Sequence, residues 1–277
     1  MKKFFLIGFA LLLSVVLLTL FMMGKQDDAD TWNRLHEQSN AYSRVGDYEH
    51  ATPLAIQALH LAEKNLTPTS PVVAASLTHL ALLYAAQKQY LQAEPLYQRA
   101  LSIDESFFGA NHPKLAIDLN NLATLYNAQK QYALAEPLYQ RALTILEKDS
   151  GSQSLAVATT LSNLASLYLA QKKYKEAEPL FVRTLAIREH VNGPNHLDLV
   201  ADLNNLGMLF FAEGKYTAAE QSYQRALAIA EPILGANHST VVNNLENLMR
   251  LYQKTRRVKE AAALAARLNT IRANSTH

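Results

Sequence analysis

LNNLATLYNAQKQYALAEPLYQRAL (119–143) is the stretch whose reading decides the fold. Its first eight residues place Leu119, Leu122, Leu125 and Tyr126 at i, i+3, i+6 and i+7, which gathers apolar side chains on one face of a helix. Ala135, Leu138, Tyr139, Ala142 and Leu143 do the same for a second helix. Between them lies only the polar turn Gln129-Lys130-Gln131, short enough to force the two helices antiparallel.

The same text recurs along the chain every 42 residues. The first block reads LTHLALLY (77–84), LNNLATLY (119–126), LSNLASLY (161–168), LNNLGMLF (203–210) and LENLMRLY (245–252), with LHEQSNAY (35–42) a worn first copy. The second reads QYLQAEPLYQRAL (89–101), QYALAEPLYQRAL (131–143), KYKEAEPLFVRTL (173–185) and KYTAAEQSYQRAL (215–227). One helix pair cannot bury both its apolar faces, whereas a neighbour stacked on it covers the second, so the repeat predicts an all-α solenoid with a shared core. Small residues at Ala81, Ala123, Ala165 and Gly207, and at Ala93, Ala135, Ala177 and Ala219, let helices approach closely; bulk there would overpack the contact. Tyr84, Tyr126, Tyr168 and Phe210 lie on the apolar stripe and are read as core.

Six units follow, starting near 31, 73, 115, 157, 199 and 241, which gives an array over 31–270. A linker (25–30) precedes it and a short tail (271–277) follows. Gly109-Ala110-Asn111-His112-Pro113, Gly193-Pro194-Asn195-His196 and Gly235-Ala236-Asn237-His238 connect units. Their glycines are expected to end a helix in the left-handed αL geometry, and Pro113 to open the next at its first turn. Pro95, Pro137 and Pro179 lie early in second helices, where a lost backbone donor costs less and a slight bend is expected.

Composition narrows the function classes. The chain has 277 residues, 49% of them hydrophobic, with nine Gly, nine Pro and no Cys. Disulfides, thiolate metal sites and cysteine nucleophiles are therefore excluded. The net charge of +2 comes from Lys2 and Lys3, and the remaining basic and acidic side chains balance. A balanced chain lacks the basic stripe that nucleic-acid binding requires. No nucleophile elbow, Walker A, dinucleotide or H-E-x-x-H string is present, and quasi-identical repeats spread like residues along a line rather than converging them on a reacting atom. No enzyme, cofactor, metal or small-molecule substrate is expected. His112, His196 and His238 recur in the connecting loops without a second ligand on the same turn, so they are read as loop and cap residues.

Lys2 and Lys3 precede an apolar stretch from Phe4 to Met23, and Gly24-Lys25-Gln26-Asp27-Asp28 returns to water. Twenty residues at about 1.5 Å each reach about 30 Å, the thickness of a bilayer's hydrocarbon layer. Residues 1–24 are thus read as a transmembrane signal anchor, with membrane contact through 4–23. The positive-inside bias puts the N-terminus in the cytoplasm and the array in the extracytoplasmic, periplasmic space. The alternative is a signal peptide cleaved near Gly24, which leaves a soluble exported protein.

The pattern L-x-x-L-[AG]-x-L-[YF], then A-E-P-L-Y-x-R-A-L, then G-x-N-H-P resembles the tetratricopeptide repeat in its 42-residue, kinesin light chain-like form, over about 240 residues. The resemblance implies a right-handed superhelical solenoid of about six antiparallel helix pairs, a non-catalytic scaffold whose first helices line a concave wall that holds a protein or peptide partner. By the same resemblance Asn121, Asn163, Asn205 and Asn247 take a ladder position facing that groove, where an amide can read a peptide backbone as donor and acceptor. The same amides could instead bond between adjacent helices and stabilise the stack. The matching positions in the first two units are Glu37 and His79. Neighbouring groove positions are Asn120, Thr124 and Asn127; Ser162, Ser166 and Leu169; Asn204, Met208 and Phe211; and Arg250 with Lys254. These make the middle of the groove polar and the Met208/Phe211 region more apolar. The two cations alone do not complete the carboxylate clamp of chaperone-binding members. Residues 25–64 carry four basic and seven acidic side chains and residues 246–272 seven and two. A second functional reading follows, docking into a membrane-associated assembly by the convex face or the basic C-terminal end.

Overall fold

The computed structural model describes residues 26–274, so the apolar segment 4–23 and the last residues of the tail lie outside it. Among the described residues all regular structure is helical. Twelve helices form six pairs: α1 (Gln26–Arg44) with α2 (Tyr48–Asn65), α3 (Pro71–Ala86) with α4 (Tyr90–Phe108), α5 (Pro113–Ala128) with α6 (Tyr132–Ser150), α7 (Leu155–Ala170) with α8 (Tyr174–Asn192), α9 (Leu199–Ala212) with α10 (Tyr216–Leu234), and α11 (Ser239–Lys254) with α12 (Val258–Asn274). None of the described helices is long and apolar enough to cross a membrane.

The chain divides into two compact units, Met1–Asp149 and Ser150–His277. In the first, each helix packs on the next in sequence from α1 to α5, and α3 also touches α5. In the second, α7 to α12 follow the same order, with added contacts of α7 with α9 and α9 with α11. These extra contacts join first helices to first helices, which is what builds a wall from them.

The periodic apolar residues are the core. Leu77, Leu119, Leu161, Leu203 and Leu245 are fully or almost fully buried, as are Ala81, Ala123 and Ala165. Opposite the small-residue column, Tyr97, Tyr139, Phe181 and Tyr223 fill the space it leaves. Gly207 shows how tight the fit is: a Cβ there would stand 2.5 Å from the Tyr223 ring. The Tyr/Phe stripe belongs to the same packing. Tyr84, Tyr168 and Phe210 lie against buried clusters, and Tyr126 is itself buried.

The three-residue turn inside each pair places its middle residue in a left-handed conformation: Gly46, Lys88, Lys130, Lys172, Gly214 and Arg256 all have φ between 60° and 79°. Four of these carry a side chain where glycine is more comfortable, at a cost of about 1 kcal/mol each. The loops between pairs correct one expectation. Gly109, Gly193 and Gly235 do have positive φ, near 83–89°, but their ψ of 157–161° is extended rather than αL. That region is open essentially to glycine alone. It turns the chain outward into the loop instead of closing the helix with a left-handed cap.

Pro113 opens α5 at its first turn, as its fixed φ favours. His112 is the N-cap, its Nδ1 accepting from the Lys114 amide at 3.2 Å, and His238 caps α11 in the same way through Thr240 at 3.2 Å. His196 Nδ1 accepts from Asp198 at 3.3 Å. Among the described residues no group of three or more potential ligands is placed to hold a metal ion.

Candidate peptide-binding groove

The wall of first helices is α3 and α5 in the first unit and α7, α9 and α11 in the second. Asn121 lies on α5, and Asn163, Asn205 and Asn247 on the three helices of the second unit. Each is half-buried. No side-chain hydrogen bond engages any of the four, and none has a polar atom sealed away from solvent. A half-buried primary amide with both its donors and its acceptor open to water is free to bond a ligand without breaking anything in the protein.

The flanking positions divide. Thr124 donates to the Asn120 carbonyl at 2.8 Å and shares a 2.9 Å bond with the Tyr139 hydroxyl, while Ser166 donates to the Ser162 carbonyl at 2.8 Å. The Asn120 amide donates to the Ala116 carbonyl at 2.8 Å, and the Asn204 side-chain oxygen is buried without a partner. Asn127 is half-buried. Met208 is 47% exposed and offers an apolar contact, but Phe211 and Leu169 pack onto buried clusters and are spent partly on the core. Ser162 donates inward to Asp202 at 2.8 Å and so points away from any ligand. Arg250 and Lys254 are exposed on one face of α11, and neither has an ion partner.

The ladder position at the other end is closed. His79 is 7% exposed and its Nε2 lies 2.8 Å from the Ser39 hydroxyl. Ser39 itself donates to the Ala51 carbonyl at 2.8 Å, so His79 is the donor in their contact. The His36 ring lies 4.6 Å from that of His79 and stacks on Trp32 at 4.9 Å. Burial pushes His36 down to about 4 and His79 to about 3, and both rings are neutral.

Six two-helix pairs in which a small-residue column faces an aromatic one specify a family. The tetratricopeptide repeat model matches residues 27–106, 72–148, 156–231 and 200–268. The chain belongs to the tetratricopeptide repeat family. Among solved structures, this repeat array is similar to BtubC (BKLC) from P. vanneervenii, at 24% identity and a TM-score of 0.67 over 87% of this chain and 92% of that one. It is also similar to a putative kinesin light chain with nearly identical TPR-like repeats from Podosopora anserina, at 24% identity and a TM-score of 0.63 over 72% and 94%. A Rap protein complexed with competence and sporulation factor matches at 17% identity and a TM-score of 0.63 over 88% and 75%. No curated protein matches the chain. At these identities the likenesses establish the fold, and proteins of this repeat family generally serve as non-catalytic scaffolds for protein partners.

Two features of this tetratricopeptide array escape a reading made for apolar periodicity. The Arg of the second block bonds a Glu 36 residues earlier on the preceding second helix: Arg99 to Glu63 at 2.5 Å, Arg141 to Glu105 at 2.6 Å, Arg225 to Glu189 at 2.5 Å, and Arg267 to Glu231. The signal was present, since both residue types recur with the repeat. The second feature is a pair of buried charge networks. Lys114 lies 2.8 Å from Asp104 and 2.9 Å from Asp118, both almost fully buried, and Arg188 lies 2.5 Å from buried Asp202. Burial raises Asp118, to about 7, against the pull of Lys114; it raises Asp202 likewise, opposed by Arg188 and Ser162.

Proposed function

We propose that this chain is a non-catalytic scaffold that holds an extended peptide segment of a partner protein along its first helices, tethered by residues 4–23 with the array on the extracytoplasmic side of the membrane. The open state of Asn121, Asn163, Asn205 and Asn247 is the observation that carries the reading. Amides needed for the stack would be bonded within it, because polar groups buried without partners cost about 1–3 kcal/mol each. Spaced once per repeat, they suit a ligand whose own amides recur along an extended backbone. That a Rap protein of this fold is seen complexed with competence and sporulation factor is in keeping with such use.

A second reading rests on the basic end. Arg250, Lys254 and Arg256 have no ion partner, whereas Lys259 acts on Glu260 and Arg257 is held by Glu220 and Glu260. Docking of this end onto an acidic surface of a membrane-associated assembly would use them, and would weaken steeply with added salt.

The test places a photo-crosslinking residue at Ser166 or Met208, in the groove, or at Gln140, on a second helix, and compares the parent chain with one in which the four ladder asparagines are Ala. Groove-specific crosslinks that fall at least about tenfold in the folded variant are expected. Unchanged crosslinking by a folded variant overturns the groove. The tether is tested by sequencing the mature protein from its N-terminus: Met1 or Lys2 is expected, and a start near residue 25 would show cleavage.

A further inference from the structure

Near-identical repeats create a folding problem that their apolar residues cannot solve. Helix α4 packs on α5, on which Leu115, Ala116 and Leu119 are buried, and α8 packs on α9, on which Leu199, Val200 and Leu203 are buried. These surfaces are alike in shape and chemistry. Packing alone would accept α4 on α9 or α8 on α5 with little penalty, and arrays of repeats characteristically fail by such mispairing and by domain swapping.

The buried charges at the two junctions are not alike. In register, 84 residues apart, Asp104 corresponds to Arg188, Lys114 to Asp198, and Asp118 to Asp202. At the α4–α5 junction the second helix contributes the acid and the first helix the cation, which lies 2.8 Å from Asp104 and 2.9 Å from Asp118. At the α8–α9 junction the order is reversed. Arg188 on the second helix reaches Asp202 at 2.5 Å and the Asp198 carbonyl at 3.2 Å. Asp104, Asp118 and Asp202 are at most 1% exposed. At the other junctions inside the two units the register positions carry no charge: Ala62, Val72 and Ser76, and Ala230, Thr240 and Asn244.

We infer that the two charge-reversed networks are a pairing code that fixes which second helix docks on which first helix. An α4 placed on α9 would bury Asp104 with Asp198 and Asp202 and no cation. An α8 placed on α5 would set Arg188 against Lys114. Each strands charge in the interior, where removal of a partner costs several kcal/mol. The uncharged junctions inside each unit reject either charged helix for the same reason. Thr78 adds an independent mark of the design. It occupies on α3 the register position from which Ser162 on α7 donates to Asp202, and its hydroxyl is buried with no partner. The first junction thus already holds the hydroxyl that the reversed order uses.

The experiment uses the full chain in mild nonionic detergent, unfolded in urea and refolded at low and high protein concentration. Asp104→Arg and Lys114→Asp, made singly, should each lower the folded-to-unfolded ratio by about a hundredfold or more. Together, as D104R/K114D, they copy the second network onto the first and should restore that ratio to within about tenfold of the parent. With both junctions now carrying the same order, the double variant should refold with at least about three times the parent's fraction of domain-swapped or off-register species, read by light scattering and hydrogen exchange. A further variant, Asp104→Ala with Lys114→Val and Asp118→Ser, installs the uncharged set of 62, 72 and 76; it should be as stable as the parent yet mispair more. Failure of the double variant to recover stability overturns the inference. So does recovery, in either multiple variant, with refolding as clean as the parent's.

Discussion

The α1–α3 end of the first unit and the first helices that follow it put one sequence column to opposite uses. At α3 the column holds His79, sealed against Ser39 and His36. On α5, α7, α9 and α11 it holds asparagine amides that nothing in the protein engages. The column is therefore not structural by position. The repeat makes it available, and each neighbourhood decides whether it is absorbed into the core or left at the surface. Trp32, whose indole donates to Ser76 at 2.9 Å, builds the aromatic neighbourhood that absorbs His79.

The largest expected effect of this difference is acid sensitivity confined to the closed end. His36 and His79 have folded-state values near 4 and 3, below the ordinary 6.5. Above pH 6.5 both are neutral folded or unfolded and exert no pull. As pH falls below 6.5 the unfolded chain binds protons that the folded chain refuses, so stability is lost, at up to about 1.4 kcal/mol per unit for each ring. The loss continues to about pH 4 for His36 and about 3 for His79. At pH 5, hydrogen exchange in α1–α3 should report about 2–4 kcal/mol less protection than at pH 7.5. Asp118, raised to about 7, works in the opposite direction on α5, which is why a local readout is needed. His36→Phe keeps the stacked ring and removes one proton site, and should halve the loss. Equal loss in α9–α11 would break the contrast between the two regions.

A smaller effect sharpens the contrast of the two units at another column. The space that Ala123 occupies opposite Tyr139 is held by Gly207 opposite Tyr223 in the second unit. Gly207→Ala removes a flexible residue from a helix, a gain of about 1 kcal/mol, but drives its Cβ into the buried ring, a loss of about 1–3. A net destabilisation of up to about 2 kcal/mol is expected by urea titration. A stabilised variant would mean that Tyr223 has room to move and that the two units pack alike.

Much of the fold was legible because it is periodic. Helix pairs, the small-residue column, the aromatic stripe and the caps at His112 and His238 follow from residue type and a fixed spacing. What escaped depends on conformation or on neighbours distant in sequence. Positive φ at Gly109 could be anticipated from glycine, but the extended ψ depends on where the next helix begins. The ladder was legible as a column, whereas the burial of His79 and the freedom of the asparagines depend on what α1 packs nearby. The Asp104–Lys114–Asp118 network is hidden from any reading that follows apolar residues. Phe211, read as groove by register, leans into the core because Tyr216 offers its ring an edge contact at 5.8 Å.

The Arg–Glu pairs on the second helices give each unit unequal edges. The first-helix wall carries uncharged amides that salt does not screen. The other edge is pinned by Arg99–Glu63 and Arg141–Glu105 in one unit and by Arg225–Glu189 and Arg267–Glu231 in the other, all partly exposed. Ions screen such contacts over about 8 Å at physiological strength and over about 3 Å at 1 M. Ionic strength therefore acts on the outer seam between second helices in each unit and leaves the buried networks beneath it untouched.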